Sequence, residues 1–104
     1  MADGTWHDVF DYAALEEGIP ECVAVNGVRI ALFKVKATVY ATSAICSHAE
    51  ANLCDGYVED DIVECPIHQA RFHIPTGRVL SEPATTDIGT YPVDVRDRRI
   101  FVRA

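Results

Sequence analysis

Four side chains that can bind a metal lie in two short groups near the middle of the sequence. The first group is Cys46-Ser47-His48 and the second is Cys65-Pro66-Ile67-His68, with sixteen residues between His48 and Cys65. Thiolate sulfur and imidazole nitrogen are common ligands of zinc and of iron–sulfur centres. Because cysteine and histidine are uncommon, two mixed pairs so close together indicate a metal centre rather than buried cysteines beside surface histidines.

The distribution of the ligand types bears on which metal is bound. Structural zinc sites usually place two cysteines in one short segment and two histidines in another. Here each segment supplies one cysteine and one histidine, as a two-iron cluster requires when one iron takes two thiolates and the other takes two imidazoles. A zinc-bound structural or interaction module is the alternative, since the same four ligands can hold a tetrahedral zinc ion.

Short β-strands are predicted on both sides of these groups. Asn26-Gly27 is a strong hairpin signal because both residues tolerate positive φ. A short helix is predicted between Asp11, as its N-cap, and Gly18. Frequent turns between short strands favour an all-β fold, a small antiparallel sandwich or barrel, with the metal-binding groups in loops. The strands are predicted at residues 21–25, 28–33, 38–42, 57–59, 62–64, 71–73, 78–80, 90–95 and 99–103.

The ligand pattern, C-x-H-x16-C-x-x-H, resembles that of the Rieske-type ferredoxins of bacterial aromatic-ring-hydroxylating dioxygenase systems. The likeness extends along most of the chain, through Asp55-Gly56, Glu64-Cys65-Pro66, Thr76-Gly77 and Thr90-Tyr91-Pro92-Val93. The resemblance implies a single Rieske domain over residues 1–104, with cluster-binding loops at about 45–73 within a basal β-domain.

The resemblance also implies a cofactor and a function. One Rieske-type 2Fe-2S cluster would be held by Cys46 and Cys65 on one iron and by His48 and His68 on the other. The protein would carry single electrons from a flavin-containing, NAD(P)H-dependent reductase to a terminal aromatic-ring-hydroxylating oxygenase, without catalytic residues of its own. A ferredoxin that serves a different oxygenase or reductase is the alternative within this class.

Departures from the high-potential Rieske proteins predict a low reduction potential. Those proteins carry a disulfide between the two loops, at the positions of Ala51 and Ile67. They also carry hydroxyl groups that donate hydrogen bonds to cluster sulfur, where this sequence has Ala70 and Phe72. Fewer donors to sulfur leave the added electron less stabilised, which lowers the potential. At His73, dioxygenase ferredoxins often have aspartate.

The net charge limits the kinds of partner that the protein is expected to bind. The 104 residues have a net charge of −7, which disfavours binding to nucleic acid or to an anionic membrane surface. The N-terminal residues have neither a basic region nor an apolar run, so a cytoplasmic location is expected. Cysteines in such a chain are expected to be reduced or metal-bound rather than paired as disulfides.

The remaining candidate residues are interpreted mainly as structural. Cys22 is predicted to be a small buried side chain and Cys54 to have a packing role, with a redox-sensitive thiol as the alternative for Cys54. His73 is assigned a structural or exposed role, with a role beside the cluster ligands or in pH sensing as the alternative, and His7 is assigned a surface role. The acidic run at residues 59–61 is expected to solvate a hairpin tip, or else to guide docking of a basic partner. Six aromatic side chains are predicted to lie in the core: Phe33, Tyr40, Tyr57, Phe72, Tyr91 and Phe101.

Overall fold

The structure, a computed structural model, describes residues 4–46, 51–67, 69–81 and 86–104. Across these ranges it has ten β-strands and two 3-10 helices, Tyr12–Ala14 and Leu53–Asp55. No helix within these ranges is long enough and apolar enough to cross a membrane. The strands are β1 (Trp6–Asp11), β2 (Glu21–Val25), β3 (Val28–Val35), β4 (Thr38–Ser43), β5 (Tyr57–Glu59), β6 (Ile62–Glu64), β7 (Arg71–His73), β8 (Thr90–Tyr91), β9 (Val93–Arg96) and β10 (Arg99–Arg103).

The strands form three antiparallel sheets, which confirms the predicted all-β fold. The first sheet has the order β1-β10-β9, the second β2-β3-β4-β8 and the third β5-β6-β7. The third sheet carries the second metal-binding group in the connection between β6 and β7.

Strand β3 separates two hydrophobic cores because its side chains alternate between its two faces. Ile30 and Leu32 pack with Ile100 and Val102 of the first sheet in one core. On the opposite face, Ala31, Phe33 and Val35 belong to a second core. The third sheet packs on this second face through Val63 and Phe72, both fully buried. The layers are therefore the first sheet, the second sheet and the third sheet, in that order.

The turns explain why several hairpins were predictable. Asn26 and Gly27 have φ angles of 52° and 82°, as the Asn-Gly hairpin predicts. The next turn is less obvious, because Ala37 has a φ of 68° without being glycine. The Glu17 carboxylate accepts hydrogen bonds from the N–H groups of Lys36 (2.9 Å) and Ala37 (2.6 Å). These bonds hold the unfavourable backbone conformation in place.

The short helix predicted between Asp11 and Gly18 is present only as a 3-10 helix, Tyr12–Ala14, and the predicted Asp11 cap is wrong. Strand β1 continues through Asp11, the Asp11 side chain caps nothing, and only one turn of 3-10 helix follows. The segment is too short for a stable α-helix, and its ordering comes instead from the burial of Leu15, which is 1% exposed.

Two predicted strands also differ from the structure. Residues 78–80 do not form a strand; only Val79 makes a β-bridge, which pairs it with Phe72 of β7. The strand predicted at residues 90–95 is divided at Pro92, so that β8 pairs with β4 while β9 pairs with β10. Proline has no N–H to donate to a neighbouring strand, and this explains the break.

Candidate metal centre

The first metal-binding loop leaves the end of β4 and returns alongside its own start. The Cys46 N–H donates to the Ala51 carbonyl (2.9 Å), and the Leu53 N–H donates to the Ala44 carbonyl (2.7 Å). Ile45 and Asn52 form an antiparallel bridge between these two bonds. Residues 44–46 and 51–53 therefore form a short two-stranded base, called here the first stem.

The second loop is closed in the same way. The Cys65 N–H donates to the Ala70 carbonyl at 2.7 Å, and β6 and β7 continue the pairing with Glu64 opposite Arg71. In both loops, the cysteine N–H bonds to the carbonyl of the alanine five residues later. The two loops therefore have equal length, and each starts from a cysteine whose N–H closes the loop.

The structure brings the two predicted cysteine ligands into one apolar core. Cys46 is 3% exposed and Cys65 is fully buried, and both belong to the core that contains Ala51, Ala70 and Phe72. Within the described residues, neither cysteine is part of a disulfide, so their sulfur atoms can act as metal ligands, and a metal that binds them takes them as thiolates. His48 and His68 lie outside the described residues, so their assignment as ligands remains a prediction.

The surroundings of the cysteines are apolar, as the sequence predicts. Ala70 and Phe72 are both fully buried, so neither position offers a hydroxyl group to the site. Outside this pocket the surface is also partly apolar: Ile45, which precedes Cys46, is 39% exposed, and Ile67 in the second loop is 61% exposed. The two loops thus combine a dry interior with an accessible apolar exterior.

His73 has the structural role that the sequence predicts. Its Nε2 lies 2.9 Å from Asp61 Oδ2, and its Nδ1 lies 2.8 Å from Thr76 Oγ1. The ring therefore joins the β5–β6 hairpin tip to the turn after β7. Glu59 and Asp60 are exposed at that tip, in agreement with the solvated hairpin that was predicted.

Three interpretations of individual side chains need correction. Phe101 was expected in the core but belongs to neither core, and its ring lies against the Arg96 guanidinium. His7 was expected at the surface, but it is partly buried, and its buried Nε2 has no hydrogen-bond partner within the part of the chain that the structure describes. Tyr57 was expected in the core but is 69% exposed. The short strand β5 covers the core with Val58 and directs its two flanking side chains outward.

A disulfide between Cys22 and Cys54 overturns the prediction of a buried Cys22 and of unpaired thiols, whereas Cys54 packs against the core as predicted. Cys22 is exposed rather than buried. It lies opposite Ala31 in the β2–β3 pair, and directly opposite residues project to the same face of a sheet. Ala31 belongs to the core beside the metal-binding loops, so Cys22 faces the 3-10 helix that carries Cys54. Strand alternation together with the Asn-Gly register was the signal in the sequence that could have placed Cys22 on this face.

The fold and the site together define a small β protein in which two loops start from buried cysteines that lie outside the disulfide. Residues 5–92 match the family model described as the Rieske [2Fe-2S] domain. The chain belongs to this family, and its cofactor is a single Rieske 2Fe-2S cluster. Cys46 and Cys65 fit that group, because both lie outside the disulfide and are buried in the same core, and such a cluster takes two cysteine sulfurs as ligands.

Known relatives agree with this assignment. The chain is 41% identical over 98 residues to the ferredoxin component of the naphthalene 1,2-dioxygenase/salicylate 5-hydroxylase systems of Ralstonia sp., with 94% of each chain covered. Its fold matches Sphingomonas yanoikuyae B1 ferredoxin with a TM-score of 0.91 and 31% identity, covering 96% of this chain and 99% of that one. It also matches a chain in the complex of reduced oxygenase and oxidized ferredoxin in carbazole 1,9a-dioxygenase, with a TM-score of 0.88 and 30% identity, covering 92% and 99%. The predicted resemblance to ferredoxin components of aromatic dioxygenase systems is therefore confirmed.

Proposed function

We propose that this protein is a one-electron carrier, reduced by a flavin-containing, NAD(P)H-dependent reductase and oxidised by a terminal aromatic-ring-hydroxylating oxygenase. The observation that carries the proposal is the pair of matched loops, each starting from a buried cysteine. The ferredoxin components among its relatives, one of them in a complex with an oxygenase, support the same role.

The proposed ligands are Cys46 and Cys65 for one iron and His48 and His68 for the other. When bound, a Rieske cluster supplies reversible one-electron chemistry. The described residues contribute a fixed frame: the closing bonds of both loops hold the cysteine backbone, and Phe72 and its neighbours exclude water from the thiols. A rigid, dry frame changes little between two redox states, which favours fast electron transfer.

The same frame supports a low potential. A fully buried alanine and a fully buried phenylalanine, Ala70 and Phe72, stand where hydroxyl groups would otherwise stabilise the reduced state. Hydrogen bonds to the cluster sulfurs are one of the factors that set the potential of an iron–sulfur centre. The proposed carrier therefore works toward the low end of the Rieske range, about −150 mV to +300 mV.

The loop exterior suits transient docking of the two partners. Exposed Ile45 and Ile67 flank the ligand cysteines and provide an apolar contact next to the site. The net charge of −7 favours partners with basic docking faces and disfavours nucleic acid or anionic membranes.

We place the protein in the cytoplasm, where NADH and NADPH are available to the reductase. We treat residues 1–104 as one functional domain with its cluster loops at about 45–73.

The test begins with the purified protein, reconstituted anaerobically with iron and sulfide. The expected product is red-brown, contains two irons and two acid-labile sulfides, as a 2Fe-2S centre requires, and takes up one electron per chain from dithionite. With NADH, a flavin-containing ferredoxin reductase and a naphthalene-type oxygenase, product formation should depend on added ferredoxin and saturate with its concentration. A colourless protein holding one zinc ion, or oxygenase turnover that is independent of this protein, would contradict the proposal.

A further inference from the structure

The Cys22–Cys54 pair lies beside the first stem but outside the proposed ligand set. The two cysteines are 32 positions apart in sequence, and their Cα atoms are 5.6 Å apart. That separation is within the usual range for disulfides, about 4.4–6.8 Å. Cys22 is exposed and Cys54 is half-buried, so a small molecule can reach the pair through Cys22.

Asn52 connects this pair to the first stem. Its side-chain Oδ1 accepts a hydrogen bond from the Cys54 N–H (2.9 Å), and the Cys22 Sγ lies 3.3 Å from the same oxygen. Asn52 also bridges Ile45, which is adjacent to the ligand Cys46. Asn52 Oδ1 therefore lies within reach of both cysteines of the pair, and it can accept a hydrogen bond from the Cys22 thiol in the reduced protein.

We propose that Cys22 and Cys54 form a reversible dithiol–disulfide site that controls how firmly the first stem is held. The disulfide joins β2, a strand of the second sheet, to the 3-10 helix that begins at Leu53, the last residue of the stem. Reduction removes this covalent connection and leaves only hydrogen bonds and packing to hold residues 51–55. Formation of the disulfide therefore slows opening of the first loop and loss of the cluster, whatever electron-transfer partners the protein serves.

The oxidant is a low-molecular-weight disulfide, and the step is thiol–disulfide exchange. The Cys22 thiol loses its proton and attacks one sulfur of the oxidant, which forms a mixed disulfide and releases one thiol. Cys54 then loses its proton and attacks the Cys22 sulfur, which releases the second thiol. One S–S bond of the oxidant is exchanged for one in the protein, and the two protons from the cysteines end on the two released thiols.

The expected effect follows from the length of chain that the bond closes. With a sequence separation of 32, the chain-entropy model gives a change of about 500-fold in the equilibrium constant for global unfolding. Opening of the stem releases only part of the chain segment that the disulfide closes. A smaller effect, roughly tenfold, is therefore expected on the rate of cluster loss.

The experiment uses the cluster-loaded protein, equilibrated anaerobically in buffers with increasing ratios of glutathione disulfide to glutathione. Alkylation and peptide mass spectrometry report the Cys22–Cys54 cross-link, and visible absorption reports the cluster. A chelator is then added, and the decay of the absorption gives the rate of cluster loss at each ratio. We expect the cross-linked peptide to appear reversibly, with cluster loss roughly tenfold slower in the oxidised protein.

Three variants make the result specific. Cys22→Ser and Cys54→Ser should both bind the cluster and lose it at the fast rate in every buffer. Ala24→Ser changes an exposed residue two positions along the same face of β2 and should respond to the buffers as the wild type does. The proposal is overturned if no cross-link forms at any ratio, if oxidised and reduced wild type lose the cluster at the same rate, or if Cys22→Ser still responds to the buffer.

Discussion

Replacing Ala70 with serine places a hydroxyl group inside the apolar core that contains both proposed ligand cysteines. Ala70 is fully buried, and its own carbonyl already accepts the Cys65 N–H at 2.7 Å. The side chains that share this core, among them Phe72 and Leu53, are apolar. A serine hydroxyl there has sulfur of the bound cluster as its expected acceptor.

The size of the effect on the reduction potential can be estimated. A hydrogen bond to a charged acceptor is worth about 1.5–3 kcal/mol, and only the part gained on reduction shifts the potential. If about half is gained on reduction, the midpoint rises by roughly 30–65 mV, since tenfold in a one-electron equilibrium is about 59 mV. Phe72→Tyr should act in the same direction, and the double variant should exceed either single one.

Stability provides a second, independent measurement. A hydroxyl that bonds to sulfur leaves the free energy of unfolding nearly unchanged, whereas a buried hydroxyl with no acceptor lowers it by about 1–3 kcal/mol. Ala41→Ser is the matched control, because Ala41 is also buried (2% exposed) but belongs to the core on the opposite face of the second sheet. It should reduce stability and leave the potential unchanged.

Protein-film voltammetry and urea unfolding of the reconstituted variants test the reasoning. The expected result is a raised midpoint with little loss of stability for Ala70→Ser, and the reverse for Ala41→Ser. An unchanged midpoint in a fully assembled Ala70→Ser/Phe72→Tyr protein would refute the argument and assign the potential to backbone donors or solvent exposure instead.

Three further outcomes are expected. Cys65→Ser should lose the cluster, because a hydroxyl is a poor iron ligand, and its iron and sulfide content after reconstitution should fall to background; full content would contradict the ligand assignment. Gly77→Ala should destabilise the protein by more than the about 1–2 kcal/mol expected for a left-handed residue alone, because its Cβ would overlap the Ile88 carbonyl oxygen. Gly27→Ala is the control, since Gly27 also has a positive φ but its Cβ would lie in open space. Equal urea midpoints for the two variants would contradict this prediction. Ile67→Asp should raise the ferredoxin concentration needed for half-maximal oxygenase turnover while leaving the midpoint potential within error, and an unchanged concentration dependence would remove Ile67 from the docking surface.

Local turn chemistry accounts for the parts of the fold that were predictable. The Asn26-Gly27 turn determines the register of β2 and β3, and the acidic turn at residues 60–61 does the same for β5 and β6. The short segment after Asp11 was mispredicted because its capping signals are local, while burial of Leu15 against distant strands decides its structure. Pro92 could have been read as a strand break from its missing N–H alone.

The parts of the site that depend on residues close together in the sequence were predictable. Cys46 and Cys65 were identified from their spacing to histidine, and the structure places both in one buried core. The Cys22–Cys54 pair was missed because it depends on which face of β2 packs toward the 3-10 helix, a long-range property of the assembled sheets.

The shared closing bond of the two metal-binding loops constrains how this protein can vary in evolution or by design. Surface connections usually tolerate insertions and deletions, since lengthening a flexible loop adds little closure entropy. Here an inserted residue between Cys46 and Ala51, or between Cys65 and Ala70, would separate the cysteine N–H from the carbonyl that it bonds. The closing bond therefore constrains the length of each loop more tightly than the length of an ordinary surface connection, so natural and engineered diversity in this region should consist of substitutions and not of insertions.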